Sequence, residues 1–380
     1  MKIINGGITQ PKGFKANGIH CGIKRSGKPD LTLIASEIPA AGAAVFTSNS
    51  VKAAPLLVSQ RHIKENIVQA VIVNSGNANC FTGHFGLLYA EKTTELIAKL
   101  LKIPSAYVLV SSTGIIGKPL PFEKIQDSAQ KLVKGLNIGA AHKAAQAILT
   151  TDTKTKEIAV QISLNGKKAV IGACAKGSGM TAPNMATMLS FITTDAAINK
   201  NMLKAALKQS VDQSFNLITI DGCMSTNDMV VVMANGLAEN KKITNKGKDF
   251  NIFCDALTHV CRSLAKQIVL DAEGATKFIQ INVNSAENKI QAKQIGLAIA
   301  NSNLVKTAAF GSNPNWGRVA AAVGSLGIKK ITEKNLKIKF SPFDKKEISV
   351  SVDVNLGKAK TTIYTSDLSY EYVKINGEYN

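Results

Sequence analysis

The sequence predicts a layered α/β protein with antiparallel hairpins, not a doubly wound parallel sheet. Three observations predict this. Strand-like and helix-like runs alternate irregularly over all 380 residues, and the strands often come in pairs. An Asn165-Gly166 pair separates two strand-like runs, the signature of a tight hairpin. No GxGxxG stands in the strand–turn–helix context that a dinucleotide-binding sheet would carry.

Residues 1–60 read as short strands and turns broken by Gly and Pro: ITQPKGF, LTLIAS (31–36), AAVFTSN (43–49) and then KAAPLLVS. AVIVN (70–74) suits a buried strand, and NSGNANCFTG (74–83) after it supplies turn residues with exposed backbone N–H groups. Residues 87–101 read as a helix and 106–110 as a strand that runs into SSTGIIGKPLP (111–121). That loop is not a phosphate loop, because Pro119 follows Lys118 where the motif needs Ser or Thr. Ile125, Ala129, Leu132 and Leu136 share one helical face, and a second short helix covers 140–149. TTDTKTKE (150–157) leads to a strand with Ile158, Val160, Ile162 and Leu164 on one side, and its hairpin partner covers 168–175. Residues 188–198 read as a buried strand, followed by a helix carrying Leu203, Leu207 and Val211. LITIDG (217–222) and MVVVMANG (229–236) read as strands, 249–270 as a long helix, 278–283 as a strand and 289–309 as another long helix. FGSNPNWGR (310–318) feeds a further helix, and two alternating strands through Ile338 and Val350 close the core before the tail YEYVKINGEYN. No repeat, low-complexity block or linker stands out.

Composition narrows the function classes. At 45% hydrophobic the chain can bury a large core, and no apolar run reaches the roughly 18 residues of a membrane span. The N-terminal stretch lacks the apolar segment of a signal peptide, so a cytoplasmic enzyme is expected, with no membrane partner. The formal charge of +20 comes almost wholly from Lys; Arg occurs only at 25, 61, 262 and 318, and no nucleic-acid motif is present. The charge therefore reads as a solvated surface and not as a nucleic-acid interface. Six cysteines form no CxxC pair and five histidines form no zinc pattern, so reduced thiols and no metal are expected.

The run GACAKGSGMTAPNMATMLSFITTD (172–195) carries the chemistry. Thr187 follows a loop punctuated by Gly177, Gly179 and Pro183 and begins an apolar run. A Thr hydroxyl needs a base. If the Ala186–Thr187 bond is cut, Thr187 gains an α-amine whose ordinary pKa, about 7.7–8.0, suits a general base on the same residue. The same hydroxyl can make the cut by attacking the Ala186 carbonyl, with the glycines permitting a strained backbone. Read without chemistry, ATML is only the entry to a strand, since Thr is a good β-former. Thr113-Gly114 at a strand end could present a hydroxyl and an N–H to an oxyanion, or could be a plain turn.

These blocks resemble the ornithine acetyltransferase (glutamate N-acetyltransferase) family of arginine biosynthesis. GITQPKGFKANGIHCGIK, AAVFTSNSVKAAPLLVS, VNSGNANCFTG, SSTGIIG, TTDT, STND, DAEGATK, FGSNPNWGR and YVKIN are similar to the family's blocks in the family's order. The resemblance implies self-cleavage between Ala186 and Thr187 into an α chain (1–186) and a β chain (187–380) that share one active site. It implies Thr187 as nucleophile, Thr113 and Gly114 as oxyanion hole, and substrate contacts at Thr150, Lys176, Thr187, Glu273 and Asn376. Glu273 would pair with the ornithine ammonium and Lys176 with a substrate carboxylate. The implied reaction is a ping-pong transfer of acetyl from N-acetylornithine to glutamate without cofactor, with acetyl-CoA as an optional further donor. The implied fold is an α-β-β-α sandwich similar to the N-terminal-nucleophile hydrolases, assembled as an α2β2 heterotetramer. The alternative is a self-processed Thr aminopeptidase or amidase, in which water is the acceptor. Two departures are visible: the chain ends at Asn380, one residue short of the family's terminal Thr or Ser, and Cys223-Met224 stand where Asp and Thr are more usual.

Overall fold

A computed structural model describes residues 1–182 and 188–378. The chain divides into two compact units. The first comprises 1–177, 187–214 and 225–264, and the second 178–186, 215–224 and 265–380.

The first unit is built on one nine-stranded sheet. Its elements are β1 (Lys2–Ile4), β2 (Phe14–Ile19), β3 (Leu31–Phe46), α1 (Ala54–His62), β4 (Ile67–Asn77), α2 (Gly83–Leu101), β5 (Val108–Ile115), α3 (Phe122–Lys134), α4 (Ala141–Ala147), β6 (Lys156–Leu164), β7 (Lys167–Lys176), β8 (Leu189–Thr194), α5 (Lys200–Asp212) and β9 (Met229–Ala234). The strand order is β1-β6-β7-β8-β9-β3-β4-β5, with β2 on β3. Strand parity sorts the side chains into layers. Leu31 and Leu33 of β3, Ala70 and Ile72 of β4, and Val108 and Val110 of β5 pack under α1, α2 and α3 with Val58, Ile97 and Ile125. The intervening Ile34, Val71, Val73 and Leu109 face inward and meet Cys174, Leu189, Phe191, Val231 and Met233 from β7, β8 and β9. So the sheet folds over, and its two halves pack face to face. On the far side of β9, where parity places Val230 and Val232, α5 packs. Helix, sheet, sheet and helix form the four expected layers. Each fully buried Phe or Leu of this core contributes about 1.5–3 kcal/mol relative to exposure.

The β6–β7 hairpin turns at Asn165-Gly166, both with positive φ (47° and 81°), as a two-residue turn of that composition requires.

In the second unit, after α6 (Lys248–Leu270), come β10 (Phe278–Ala286), α7 (Lys289–Ala300), α8 (Asn303–Phe310), α9 (Trp316–Gly324), β11 (Lys337–Phe340), β12 (Glu347–Asp353), β13 (Ala359–Ser366) and α10 (Tyr370–Gly377). The strands form a sheet in the order β11-β12-β10-β13. Ile279, Ile281, Val350, Val352 and Ile363 pack under Ala292, Ile295 and Ile299 of α7.

Four expectations are corrected. KAAPLLVS is not strand: Pro55 sits in the first turn of α1, where its missing N–H costs nothing. The strand expected over 188–198 is only β8, because the Asp195 carboxylate takes the Val170 and Lys12 amides and turns the chain away. LITIDG makes only an isolated bridge from Ile218 to Tyr364, since Asp221 collects the Met180, Thr181 and Cys223 amides into a turn. The helix expected over 289–309 breaks at Ser302, whose hydroxyl accepts from the Val305 amide and starts α8. The two compact units are a separate matter from the expected α and β chains: the first takes chain from both sides of the 186/187 junction.

Candidate functional site

In the first unit, parallel β4 and β5 end side by side, with Ser75 opposite Thr113 and Gly76 opposite Gly114. Gly114 has φ +132°, and a Cβ there would lie 2.4 Å from the Gly76 carbonyl carbon. Only glycine lets the strands meet so closely. Lys176, the last residue of β7, is 3% exposed. Its Nζ donates to Thr150 Oγ1 at 2.7 Å and lies 3.4 Å from Thr113 Oγ1. An ammonium has no acceptor, so each hydroxyl must accept from it and aim its own proton elsewhere. The lysine thus turns two threonines into oriented, polarised donors.

Asp152 lies at the base of this group. Its Oδ1 accepts from Lys156 Nζ and from the Gly177 amide, each at 2.7 Å. Its Oδ2 accepts from the Thr150 amide at 3.1 Å and lies 3.9 Å from Lys176 Nζ. Burial pushes the Asp152 carboxyl up, but the Lys176 and Lys156 ammonium groups outweigh it and hold the group at about 2. Nearby, Lys24 Nζ donates to the Leu149 carbonyl at 2.6 Å and the Pro29 carbonyl at 2.8 Å, and burial draws it down to about 8 against the pull of Asp30.

The STND block is scaffold. Asn227 Nδ2 donates to the Ala78 and Ser112 carbonyls, tying the ends of β4 and β5 together. Asp228 Oδ1 accepts from the Met188 amide at 3.0 Å, and its buried Oδ2 has no hydrogen-bond partner among the described residues. Burial raises the Asp228 carboxyl well above the ordinary range, against the Met188 amide and the Lys176 charge.

The second unit holds its own polar group. Asn376 Nδ2 of α10 donates to Glu273 Oε2 at 2.9 Å, and the Glu273 amide donates to the Ser178 carbonyl at 2.8 Å. A Cβ on Gly179 would lie 2.2 Å from Glu273 Oε2, so glycine there makes room for the carboxylate. Gly179 is not among the positive-φ positions, so its use differs from the backbone twist expected of it. Tyr372 Oη donates to Asp221 Oδ2 at 3.2 Å. Burial, then the Asp221 charge, pushes that phenol up.

Of the residues singled out in the sequence, Thr113, Thr150 and Lys176 are brought together in the first unit, with Gly114 beside Thr113. Glu273 and Asn376 are brought together in the second. Ala186, Thr187 and Asn380 lie outside the described residues. Asp152, Lys156, Asp228, Asp221 and Tyr372 were missed. One signal was readable: Lys156 shares the parity of the apolar Ile158 and Val160, so it falls on a buried face, and a buried lysine calls for an acid.

The sequence profile of the ArgJ family matches residues 15–380. The chain is 45% identical over 402 residues to a protein of Caldanaerobacter subterraneus named arginine biosynthesis bifunctional protein ArgJ, covering all of both chains. It is 43% identical over 395 residues to the Oceanobacillus iheyensis protein of the same name, covering 99% of this chain and 96% of that one. Among solved structures, ornithine acetyltransferase of Mycobacterium tuberculosis complexed with ornithine is similar at TM-score 0.44 and 36% identity, over 48% of this chain and 97% of that one. With a family match over nearly its whole length, the chain belongs to the ArgJ family.

Proposed function

We propose that this chain is the acetyltransferase of arginine biosynthesis that moves an acetyl group from N-acetylornithine to glutamate by a ping-pong route through acetyl-Thr187. The family match over residues 15–380 carries this reading. The arrangement of Lys176, Thr150 and Thr113 supports the site assignment. Thr187 Oγ1 attacks the acetyl carbonyl while the α-amine of the same residue takes its proton. The negative oxygen that develops is met by Thr113, whose hydroxyl proton is free to turn toward it because the oxygen already accepts from Lys176, and by the Gly114 amide. Ornithine leaves, glutamate attacks acetyl-Thr187, and N-acetylglutamate departs. Lys176 and Thr150 serve the substrate carboxylate, and Glu273 with Asn376 serves the ornithine ammonium.

The nucleophile arises by self-cleavage between Ala186 and Thr187, giving α (1–186) and β (187–380) chains that assemble as an α2β2 heterotetramer in the cytoplasm. No described helix is long and apolar enough to cross a membrane. No cofactor takes part, and acetyl-CoA serves as a second donor, in keeping with the word bifunctional in the relatives' names.

Incubating the purified protein with N-acetylornithine, with and without glutamate, tests the reading. The expected product is N-acetylglutamate, formed only with glutamate present. Acetate formed either way would make the protein a hydrolase. Intact mass should give two chains whose masses sum to that of the 40.3 kDa precursor plus one water. An uncut species with full activity, retained in Thr187→Ala, would remove Thr187 from the mechanism.

A further inference from the structure

Asp152 bonds the backbone at Thr150 and just after Lys176, two residues whose side chains meet. Its Oδ1 holds the amide of Gly177, the residue after Lys176, at 2.7 Å. Its Oδ2 holds the amide of Thr150 itself at 3.1 Å. Lys176 Nζ then donates to Thr150 Oγ1 at 2.7 Å, closing a ring from the carboxylate through both backbones to the ammonium–hydroxyl bond. The carboxylate also lies 3.9 Å from that ammonium. Such a carboxylate is costly to bury alone, and Lys156 Nζ, at 2.7 Å and 1% exposed, is its counter-charge. Lys156 comes from the start of β6 and Lys176 from the end of β7, where antiparallel pairing places Lys156 opposite Ala175. The hairpin register therefore delivers one lysine to balance the acid and the other to the threonines.

We propose that Asp152 is a positioning residue for Lys176 and Thr150, with Lys156 as the buried cation that keeps its carboxylate in place. The proposal deepens the acetyltransferase reading and rests on it for the function of Lys176. Asp152 touches no substrate and acts by fixing where the ammonium and the Thr150 hydroxyl stand. With the carboxylate gone, Gly177 and Thr150 are no longer held to a common point, and the ammonium loses both its aim and the negative charge 3.9 Å from it.

The test separates this from a role in folding alone. Asp152→Asn strands the Lys156 ammonium, so the informative protein is Asp152→Asn combined with Lys156→Met, which removes both buried charges at similar volume. The double variant should melt near the wild type yet show kcat/KM for N-acetylornithine lower by on the order of 10²-fold, the effect of misplacing a positioned group by about an ångström. Asp152→Glu keeps the charge and the Lys156 pair but moves the oxygens by one methylene, and should show the same kinetic loss if the double variant does not fold. A readout independent of the reaction is amidination of Lys176 by methyl acetimidate at pH 8, followed by peptide mass. Loss of the carboxylate should speed it several-fold. If wild-type protein moves no acetyl group, the acetyltransferase reading falls, and the labelling rates still decide the role of Asp152. Wild-type kcat/KM in a folded variant, or labelling rates equal to the wild type, would overturn the proposal.

Discussion

Gly114→Ala is the sharpest perturbation available at the ends of β4 and β5. The added Cβ would stand 2.4 Å from the Gly76 carbonyl carbon, 2.6 Å from the Asn77 nitrogen and 2.7 Å from the Gly76 Cα. All three atoms are backbone, so no side chain can swing aside. The residue also sits at φ +132°, where an L side chain is strained by roughly 1–3 kcal/mol. Overpacking a tight contact adds about 1–3 kcal/mol more. Together these predict a loss of about 2–6 kcal/mol, a large share of the roughly 5–15 kcal/mol that holds a typical domain. Gly117 is the internal control: it has φ +81°, but nothing lies within 4 Å of its would-be Cβ. Gly117→Ala should therefore cost only about 1 kcal/mol, the strain without the clash. Urea unfolding followed by circular dichroism measures both, with the midpoint shifted and the slope unchanged. Activity of any folded Gly114→Ala protein should fall on the order of 10²-fold or more, the usual cost of losing an oxyanion donor. Equal midpoints for the two variants, within about 0.5 kcal/mol, would refute the argument from close approach.

Four further outcomes follow from the same geometry. Lys306, 3% exposed, has its ammonium drawn from 10.5 down to about 8 by burial, with Asp367 and Asp221 opposing. Between pH 8 and 10.5 the unfolded chain still binds a proton that the folded chain has released, so stability should rise with pH across that window by about 3 kcal/mol, and Lys306→Met should abolish the rise in a melting series. Asp152 runs the other way: its folded carboxyl lies at about 2 against 3.8, so roughly 2 kcal/mol present above pH 4 should be lost as pH falls toward 2, and Asp152→Asn should flatten that part of an acid-unfolding curve. Asp228 has a raised folded carboxyl, so its stability contribution is whole below about pH 4 and declines as pH rises through the folded value; Asp228→Asn, which keeps an acceptor for the Met188 amide, should gain on the wild type over that rise in paired melts. Gly179→Ala would drive its Cβ to 2.2 Å from Glu273 Oε2, so KM for N-acetylornithine should rise several-fold with little change in melting temperature, and an unchanged KM would count against Glu273 as a substrate contact.

Much of the fold was legible because strand parity is a local signal. Ile158 to Leu164 alternate, Asn165-Gly166 turns, and the hairpin is there. Two of the misreadings, at 195–198 and at LITIDG, share one cause: side chains bound to backbone distant in sequence decide the local fold. LITIDG has the composition of a strand, yet Asp221 spends its carboxylate on amides about 40 positions back, and the segment turns. The site divides in the same way. Thr113, Thr150 and Lys176 were named from motif resemblance and do meet, but Asp152, which holds the backbone at Thr150 and Gly177, is one polar residue in a polar run. Only the parity that Lys156 shares with the apolar Ile158 and Val160 hinted that an acid had to be near.

The registers of the strands bear on what self-cleavage would do to the first unit. β7 precedes the Ala186–Thr187 bond and β8 follows it, and the two pair antiparallel from Ile171↔Thr194 to Lys176↔Leu189. β9, also after the bond, pairs with β3 from Ala41↔Ala234 to Phe46↔Met229. The segment after the junction is therefore inserted in the middle of the sheet, bounded on both sides by strands from before it. Phe191 and Val231 are buried in the same core as Ile34, Val71 and Cys174. Cutting one peptide bond removes none of these hydrogen bonds and exposes none of this apolar surface, so two chains so made would stay paired through the sheet of the first unit. Met188 is the first described residue after the junction, and its amide donates to Asp228 Oδ1 at 3.0 Å.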